Sequence, residues 1–117
     1  MRVVEIIADL PVDDVESARE LYTGFLGLGV EEFNLGWVAR FTQPETGAHV
    51  QLVSEDATAP ERPVISVKVD DVDAAHEDAV RTGLEIVHPL CDEEWGVRRF
   101  YVRAPDGNVI NIVQHRP

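Results

Sequence analysis

An internal repeat is the feature that most constrains this chain of 117 residues. The tetrapeptide VDDV occurs at residues 12–15 and again at 69–72, each time between a predicted strand and a predicted helix. Farther along, Gly47–Val53 (GAHVQLV) matches Gly107–Val113 (GNVINIV), each after an aromatic residue and a turn. Two pairings in the same order, offset by 57 and 60 residues, indicate that one unit was duplicated with one insertion or deletion.

The sequence predicts that the second repeat ends in a β-hairpin. The segment from Phe100 to His115 has two β-branched and aromatic runs around Ala104-Pro105-Asp106-Gly107. Proline presets φ, the aspartate side chain can bond the backbone, and glycine can adopt the left-handed conformation. This pattern predicts two strands joined by a tight turn.

Each repeat reads as one strand, one helix and three strands. Hydrophobic periodicity predicts helices over 14–26 and 71–82, with Asp13 and Asp70 as their N-caps. The eight predicted strands cover residues 2–8, 30–33, 37–42, 49–54, 64–69, 85–88, 100–102 and 109–113, with a loop at 89–96. The sequence therefore predicts a single domain, 1–117, made of βαβββ modules 1–54 and 63–117 joined by the polar linker 55–62.

The predicted fold class is α+β, a curved eight-stranded mixed sheet with helices outside and a cleft inside. Two apolar strand faces, Val4/Ile6/Ala8 and Ile65/Val67/Val69, are expected to pack against the helices. The mixed faces are expected to line the cleft, and they carry Glu5/Ile7/Asp9, Val64/Ser66/Lys68, His49/Gln51/Val53 and Val109/Asn111/Val113. The alternative is that these mixed faces are solvated, as on any one-sided sheet.

Charge and cysteine content restrict the partners and the compartment. A net charge of −12 argues against binding nucleic acid or an anionic membrane, and it permits a cationic ligand. No apolar run is long enough to span a membrane, and the acidic N-terminus does not resemble a signal peptide. The single Cys91 excludes an internal disulfide and, with no histidine partner evident, is expected to be an ordinary thiol. These features predict a cytoplasmic protein.

The duplication and the ending FYVRAPDGNVINIVQH resemble the vicinal oxygen chelate superfamily, which includes glyoxalase I, extradiol dioxygenases and bleomycin-resistance proteins. The segment VDDVESARELYTGFLGLGV resembles the first helix of the family, and EEWGVRRFYVRAPDGN resembles the bleomycin-resistance branch in particular. The resemblance covers essentially the whole chain.

Enzymes of this superfamily hold a divalent metal through four inward-facing residues. By resemblance, these positions fall on Ile7, Gln51, Val64 and Asn111. Isoleucine and valine cannot ligate a metal, and two neutral amides are weak ligands. We therefore expect no metal, no cofactor and no catalytic residue, and we favour a binding protein over an enzyme. An off-position metal site using Glu5, His49 or His88 stays open.

The aromatic residues favour binding of a small molecule. Flat rings beside acidic groups suit a cationic or aromatic ligand. The predicted ligand-binding residues are Trp37, Phe41, His49, Gln51, Trp95, Tyr101 and Asn111. The alternatives are that Phe41 and Tyr101 belong to the core and that His49 is an exposed strand residue.

The resemblance also implies a partner. Bleomycin-resistance proteins usually pair as homodimers that exchange the N-terminal strand near a proline, and Pro11 lies at the matching place. We therefore expect a metal-free, ligand-sequestering homodimer of the antibiotic-resistance type. The first alternative is a superfamily lyase, isomerase or dioxygenase with a non-standard metal site. The second is a protein that pairs with another protein or senses a small molecule.

Overall fold

The elements of the computed structural model follow the order that the repeat predicts: strand, helix and three strands, twice. The structure describes residues 1–55 and 58–116, so residues 56 and 57 of the predicted linker and residue 117 lie outside it. In chain order the elements are β1 (Val3–Pro11), α1 (Val15–Glu20), a π-helical segment (Leu21–Phe25), β2 (Val30–Asn34), β3 (Val38–Thr42), β4 (His49–Val53), β5 (Ile65–Val69), α2 (Val72–Arg81), β6 (Glu85–Glu93), β7 (Val97–Arg103) and β8 (Val109–His115). Within the described ranges, no helix is long and apolar enough to cross a membrane.

The strands form one eight-stranded mixed sheet in the order β2-β3-β4-β1-β5-β8-β7-β6. Strand β1 runs parallel to β4, and β5 runs parallel to β8. The hairpin pairs β2/β3, β3/β4, β6/β7 and β7/β8 are antiparallel. The predicted α+β class and the mixed sheet are confirmed. The curvature of the sheet and the cleft stay predictions.

The chain divides into two compact units. The C-terminal unit contains residues 1–7 and 63–117, and the N-terminal unit contains residues 8–62. Strand β1 therefore contributes its first half to one unit and its second half to the other. The modules 1–54 and 63–117, with the linker 55–62 between them, stay a prediction from the sequence.

Each unit has its own apolar core, built where a helix covers one face of the strands. In the C-terminal unit, Val67 and Val69 of β5 pack with apolar residues of α2 and β7, namely Val72, Ala75, Ala79, Phe100 and Val102. In the N-terminal unit, the core consists of Val15, Leu28, Ala39, Phe41 and Leu52. The expectation that Val67 and Val69 face a helix is confirmed.

The expectation for the first strand is wrong. Val4 and Ile6 are 61% and 60% exposed, so no helix covers them. Strand periodicity states which residues share a face, but it does not state how far a helix extends over that face. The opposite face of β1 carries Ile7 and Asp9, which are both buried.

Both predicted helix caps are displaced by one residue. Asp14, rather than Asp13, accepts hydrogen bonds from the backbone N of Ser17 at 2.9 Å and from its hydroxyl at 2.7 Å. Asp71, rather than Asp70, accepts from the backbone N of Ala74 at 3.0 Å. Because each VDDV segment offers two adjacent aspartates, only the backbone conformation decides which side chain reaches the free N–H groups.

The first helix is also shorter than expected. The spacing predicts one helix over 14–26, but α1 ends at Glu20 and a π-helical segment follows. In that segment the backbone N of Leu26 donates to the carbonyl of Leu21 at 3.0 Å. Apolar periodicity does not distinguish bonds to the fourth residue from bonds to the fifth, so the sequence did not reveal this change.

Strand β6 is much longer than expected. The prediction of a short strand at 85–88 followed by a loop at 89–96 is wrong, because pairing with β7 continues to Glu93. The register shifts between Ile86 and His88 and again between His88 and Cys91. These irregularities accommodate Pro89. Strand β6 is an edge strand of the sheet, where the N–H that proline lacks need not pair with a neighbouring strand.

The turn of the final hairpin has the conformation that its sequence predicts. The backbone N of Asn108 donates to the side chain of Asp106 at 2.9 Å, and Gly107 has φ +93°. This turn sets the β7/β8 register, in which Tyr101 lies opposite Asn111.

Candidate functional site

Gln51 lies at the centre of a buried polar network in the N-terminal unit. Its Nε2 donates to Asp9 Oδ1 at 2.6 Å, and its Oε1 accepts from Arg40 Nε at 3.3 Å and Nη2 at 3.1 Å. Arg40 also pairs with Glu32 at 3.5 Å. The Thr42 hydroxyl donates to Glu32 at 2.5 Å, and this bond lowers the pKa of that carboxyl. Both ends of the Gln51 amide are therefore engaged.

Asn111 occupies the matching place in the second repeat, but its amide is only half engaged. Its Nδ2 donates to the hydroxyl of Ser66, directly across the β5/β8 pair, at 3.0 Å. Its Oδ1 is buried and has no hydrogen-bond partner within residues 1–55 and 58–116. A buried acceptor left unsatisfied costs about 1–3 kcal/mol. Within the described residues, the Asn111 amide is thus satisfied on its nitrogen and not on its oxygen.

The four positions that correspond to the superfamily metal ligands do not fit a metal ion. Ile7 and Val64 have no donor atoms, and Ile7 is 1% exposed. The Gln51 oxygen is already bonded to a guanidinium, whose positive charge would repel a cation. One remaining amide oxygen, on Asn111, cannot hold a divalent ion by itself.

A second polar group in the C-terminal unit was only partly visible in the sequence. His88, Cys91 and Glu93, here called the His88 cluster, have side-chain donor atoms within 4.8 Å of one another. The thiol of Cys91 donates to Glu93 Oε1 at 2.9 Å, and His88 Nε2 lies 3.7 Å from the same oxygen. Burial and the bond to Glu93 raise the pKa of Cys91 to about 11. The sequence did not make this histidine neighbour of Cys91 evident, and the register of β6 shifts on both sides of His88.

Arg99 connects this cluster to two of the predicted ligand-binding residues. Its buried guanidinium lies 5.1 Å from the ring centroid of Trp95 and 4.9 Å from that of Tyr101. Its Nη1 donates to the Tyr101 hydroxyl at 2.6 Å, and its Nε lies 3.8 Å from Glu93 Oε1. The charge of Arg99 is therefore balanced by a carboxylate and by the faces of two rings.

The predicted ligand-binding residues fall into two groups. Trp95, Tyr101 and Asn111 belong to the C-terminal unit, whereas Trp37, Phe41, His49 and Gln51 belong to the N-terminal unit. Phe41 is fully buried in the core of its unit. His49 Nδ1 donates to the carbonyl of Gly47 at 2.6 Å, because a carbonyl can only accept.

Sequence reasoning did not select Glu93 or Arg99 as site residues and named His88 only as an off-position candidate. The motif EEWGVRRF contains Arg99, but a basic residue beside a phenylalanine does not show that its side chain is buried. Glu93 lies in what was predicted to be a loop, and only the extended pairing of β6 brings it opposite Val97.

The comparison with known families agrees with this architecture. The sequence model of the Glyoxalase/Bleomycin resistance protein/Dioxygenase superfamily matches residues 3–112. The chain belongs to this superfamily. The resemblance that was based on the repeat and the final hairpin is thereby confirmed.

Solved structures support the same fold. A structure described as an NAD-dependent benzaldehyde dehydrogenase from Legionella pneumophila has a TM-score of 0.75 and 19% identity, covering 96% of this chain and 100% of that one. A hypothetical protein from Methanosarcina mazei has a TM-score of 0.69 and 28% identity, covering 98% and 94%. A superfamily member from Vibrio splendidus 12B01 has a TM-score of 0.67 and 14% identity, covering 95% and 97%. No curated protein matches the chain.

Proposed function

We propose that this superfamily member binds and sequesters a small cationic or aromatic molecule without a mediating metal ion. The observation that carries the proposal is the buried Asn111 Oδ1, which lacks a partner among the described residues. A ligand N–H or O–H that donates to this oxygen would recover the cost of leaving it unsatisfied. The ligand class is therefore one that carries a hydrogen-bond donor.

The surroundings of Asn111 supply the second support. Tyr101 lies directly opposite Asn111 in the β7/β8 register, and Trp95 belongs to the same unit. Arg99 already lies over both rings and Tyr101 is 1% exposed, so the half-buried ring of Trp95 is the one left to stack on a flat ligand. The net charge of −12 favours the approach of a cation over that of an anion.

The contrast between the two repeats also supports binding at Asn111. Gln51 uses both ends of its amide within the protein, so a ligand would have to break bonds to Asp9 or Arg40 to reach it. The Asn111 oxygen has no bond of this kind among the described residues. Among the matching positions, Asn111 is therefore the favoured ligand contact.

A fluorescence titration tests this proposal. The wild-type chain would be titrated with a bleomycin-class glycopeptide and with cationic aromatic antibiotics, in buffer containing EDTA, while tryptophan emission is recorded. We expect at least one compound to bind in the micromolar range. We expect Asn111→Ala to weaken the binding of that compound by about tenfold, which corresponds to one lost hydrogen bond.

Asn108→Ala is the matched control, because Asn108 is an exposed asparagine in the hairpin turn. It should bind as wild type does. Absence of any response to the whole panel at micromolar concentration would overturn the proposal, as would equal affinities for Asn111→Ala and wild type.

We also propose that the protein is a cytoplasmic homodimer in which the N-terminal strand meets a second copy near Pro11. Val4 and Ile6, both on β1, expose most of their apolar side chains. Exposed neighbouring apolar residues of this kind favour association. The single thiol, Cys91, suits a reducing compartment.

A further inference from the structure

The His88 cluster has the composition of a transition-metal site. Imidazole nitrogen, thiolate sulfur and carboxylate oxygen are the three ligand types that bind Zn²⁺ in proteins. Here one residue of each type lies on strand β6, at positions 88, 91 and 93. None of these positions corresponds to the four superfamily metal positions at residues 7, 51, 64 and 111.

The spacing of the ligand atoms suits tetrahedral coordination. Bond lengths of about 2.0–2.3 Å around Zn²⁺ place neighbouring ligand atoms roughly 3.2–3.8 Å apart. His88 Nε2 and Glu93 Oε1 are 3.7 Å apart, Cys91 Sγ and Glu93 Oε1 are 2.9 Å apart, and all three ligand atoms lie within 4.8 Å of one another. Small side-chain movements would therefore bring all three atoms to one ion.

The histidine is already oriented for a metal. Its Nδ1 lies 2.7 Å from the carbonyl oxygen of Pro89, so Nδ1 carries the proton of this hydrogen bond. In the neutral ring, Nε2 then keeps its lone pair on the side that faces Glu93. A metal-bound histidine usually donates its other ring N–H to a carbonyl or carboxylate, which fixes the tautomer.

Burial distinguishes this cluster from ordinary surface carboxylates. His88 is 4% exposed, and the Glu93 side chain is 8% exposed. A carboxylate at such a depth requires a positive partner. Arg99 supplies that charge, with its Nε 3.8 Å from Glu93 Oε1, and a metal ion would add a second positive charge at closer range.

From these observations we propose that His88, Cys91 and Glu93 bind one Zn²⁺ ion per chain. The positive charge of Arg99 weakens the binding of any cation that is held by charge alone, so hard ions such as Mg²⁺ are disfavoured. An ion that gains from thiolate and imidazole bonding is favoured. Three protein ligands leave a fourth position open, as in catalytic rather than structural zinc sites.

This inference is independent of ligand binding at Asn111. Zinc binding is measured without any organic ligand, whereas the fluorescence titration is carried out in EDTA. Either proposal can therefore fail alone. A bound ion would also be the first requirement of the enzymatic alternative within the superfamily.

Calorimetric titration of the reduced, metal-stripped chain with Zn²⁺ is the first test. We expect one site per chain with a dissociation constant of about 1 µM or tighter at pH 8. Coordination of the thiolate releases the thiol proton, so the affinity should rise with pH between 7 and 8.5.

Single substitutions identify the ligands. Cys91→Ser and His88→Ala should each weaken Zn²⁺ binding by about 100-fold or more, because losing even a residue that only hydrogen-bonds a metal ligand costs roughly 10–100-fold in affinity. His115→Ala and Glu94→Gln are matched controls on exposed residues and should bind as wild type does. Zn²⁺ should also protect Cys91, the single thiol of the chain, from alkylation by iodoacetamide.

Three results would overturn the proposal: no stoichiometric binding to the wild-type chain at pH 8, unchanged affinity in both Cys91→Ser and His88→Ala, or alkylation of Cys91 that Zn²⁺ does not slow. Circular dichroism of each variant shows whether it is folded. The alkylation assay uses the wild-type chain, so it does not depend on any variant folding.

Discussion

At the scale of single residues, the two repeats have put similar amides to different uses. Gln51 satisfies two buried charged groups, whereas Asn111 bonds Ser66 and its oxygen has no partner among the described residues. The same place in a duplicated unit thus serves stability in one copy and, in our proposal, binding in the other. Stability measurements separate these roles.

Replacing each amide by leucine should change the free energy of unfolding by very different amounts. Gln51→Leu removes a partner from both Asp9 and Arg40, and we expect it to lower the free energy of unfolding by about 3 kcal/mol. Asn111→Leu removes an unsatisfied oxygen along with one neutral hydrogen bond, so we expect a change within about 1 kcal/mol. Urea denaturation of the two variants and wild type provides the measurement. A larger loss for Asn111→Leu than for Gln51→Leu would contradict this assignment.

At the scale of elements, caps and strand irregularities decide which side chains meet. Helix α2 begins after Asp71, whose carboxylate accepts from the backbone N of Ala74. Strand β6 continues beyond Pro89 and carries Cys91 and Glu93 into pairing with β7. The sequence predicted all eight strands and both helices. It missed these boundaries because propensity does not register a paired neighbour.

The N-cap of α2 should make a measurable contribution to the free energy of unfolding. Asp71→Ala should lower the free energy of unfolding by about 1 kcal/mol, because one N–H of the first turn loses its acceptor. Glu77→Ala, an exposed change within the same helix, removes the same charge without removing a cap. It should alter stability by less than about 0.5 kcal/mol. Thermal denaturation compares the pair, and equal losses would show that Asp71 does not act as a cap.

At the scale of the whole molecule, the exposed apolar residues of β1 bear on assembly. Val4 and Ile6 lie on one face of the strand and are 61% and 60% exposed. They were expected to be covered by a helix of their own chain. Under the proposed homodimer, a second copy would cover them instead.

Light scattering after size-exclusion chromatography tests the dimer. Wild type should elute with twice the chain mass of 13.0 kDa. Ile6→Glu should shift the equilibrium to monomer by at least about tenfold, because burying a carboxylate in an apolar contact is costly. Val80→Glu on α2 is the matched control, since Val80 is 57% exposed, and it should remain dimeric. A monomeric wild-type protein, or dissociation by Val80→Glu alone, would contradict a dimer through β1.

The amino-acid sequence by itself predicted the duplicated βαβββ order and the superfamily, from hydrophobic periodicity and the turn chemistry of the final hairpin. The resemblance also implied four metal positions, and at two of them isoleucine and valine have no donor atoms. Only the tertiary structure decided that Asn111 keeps an unsatisfied oxygen while Gln51 does not, because that depends on neighbours from other strands. It also brought His88, Cys91 and Glu93 together, since two irregularities in strand register, which periodicity cannot foresee, turn their side chains to one place.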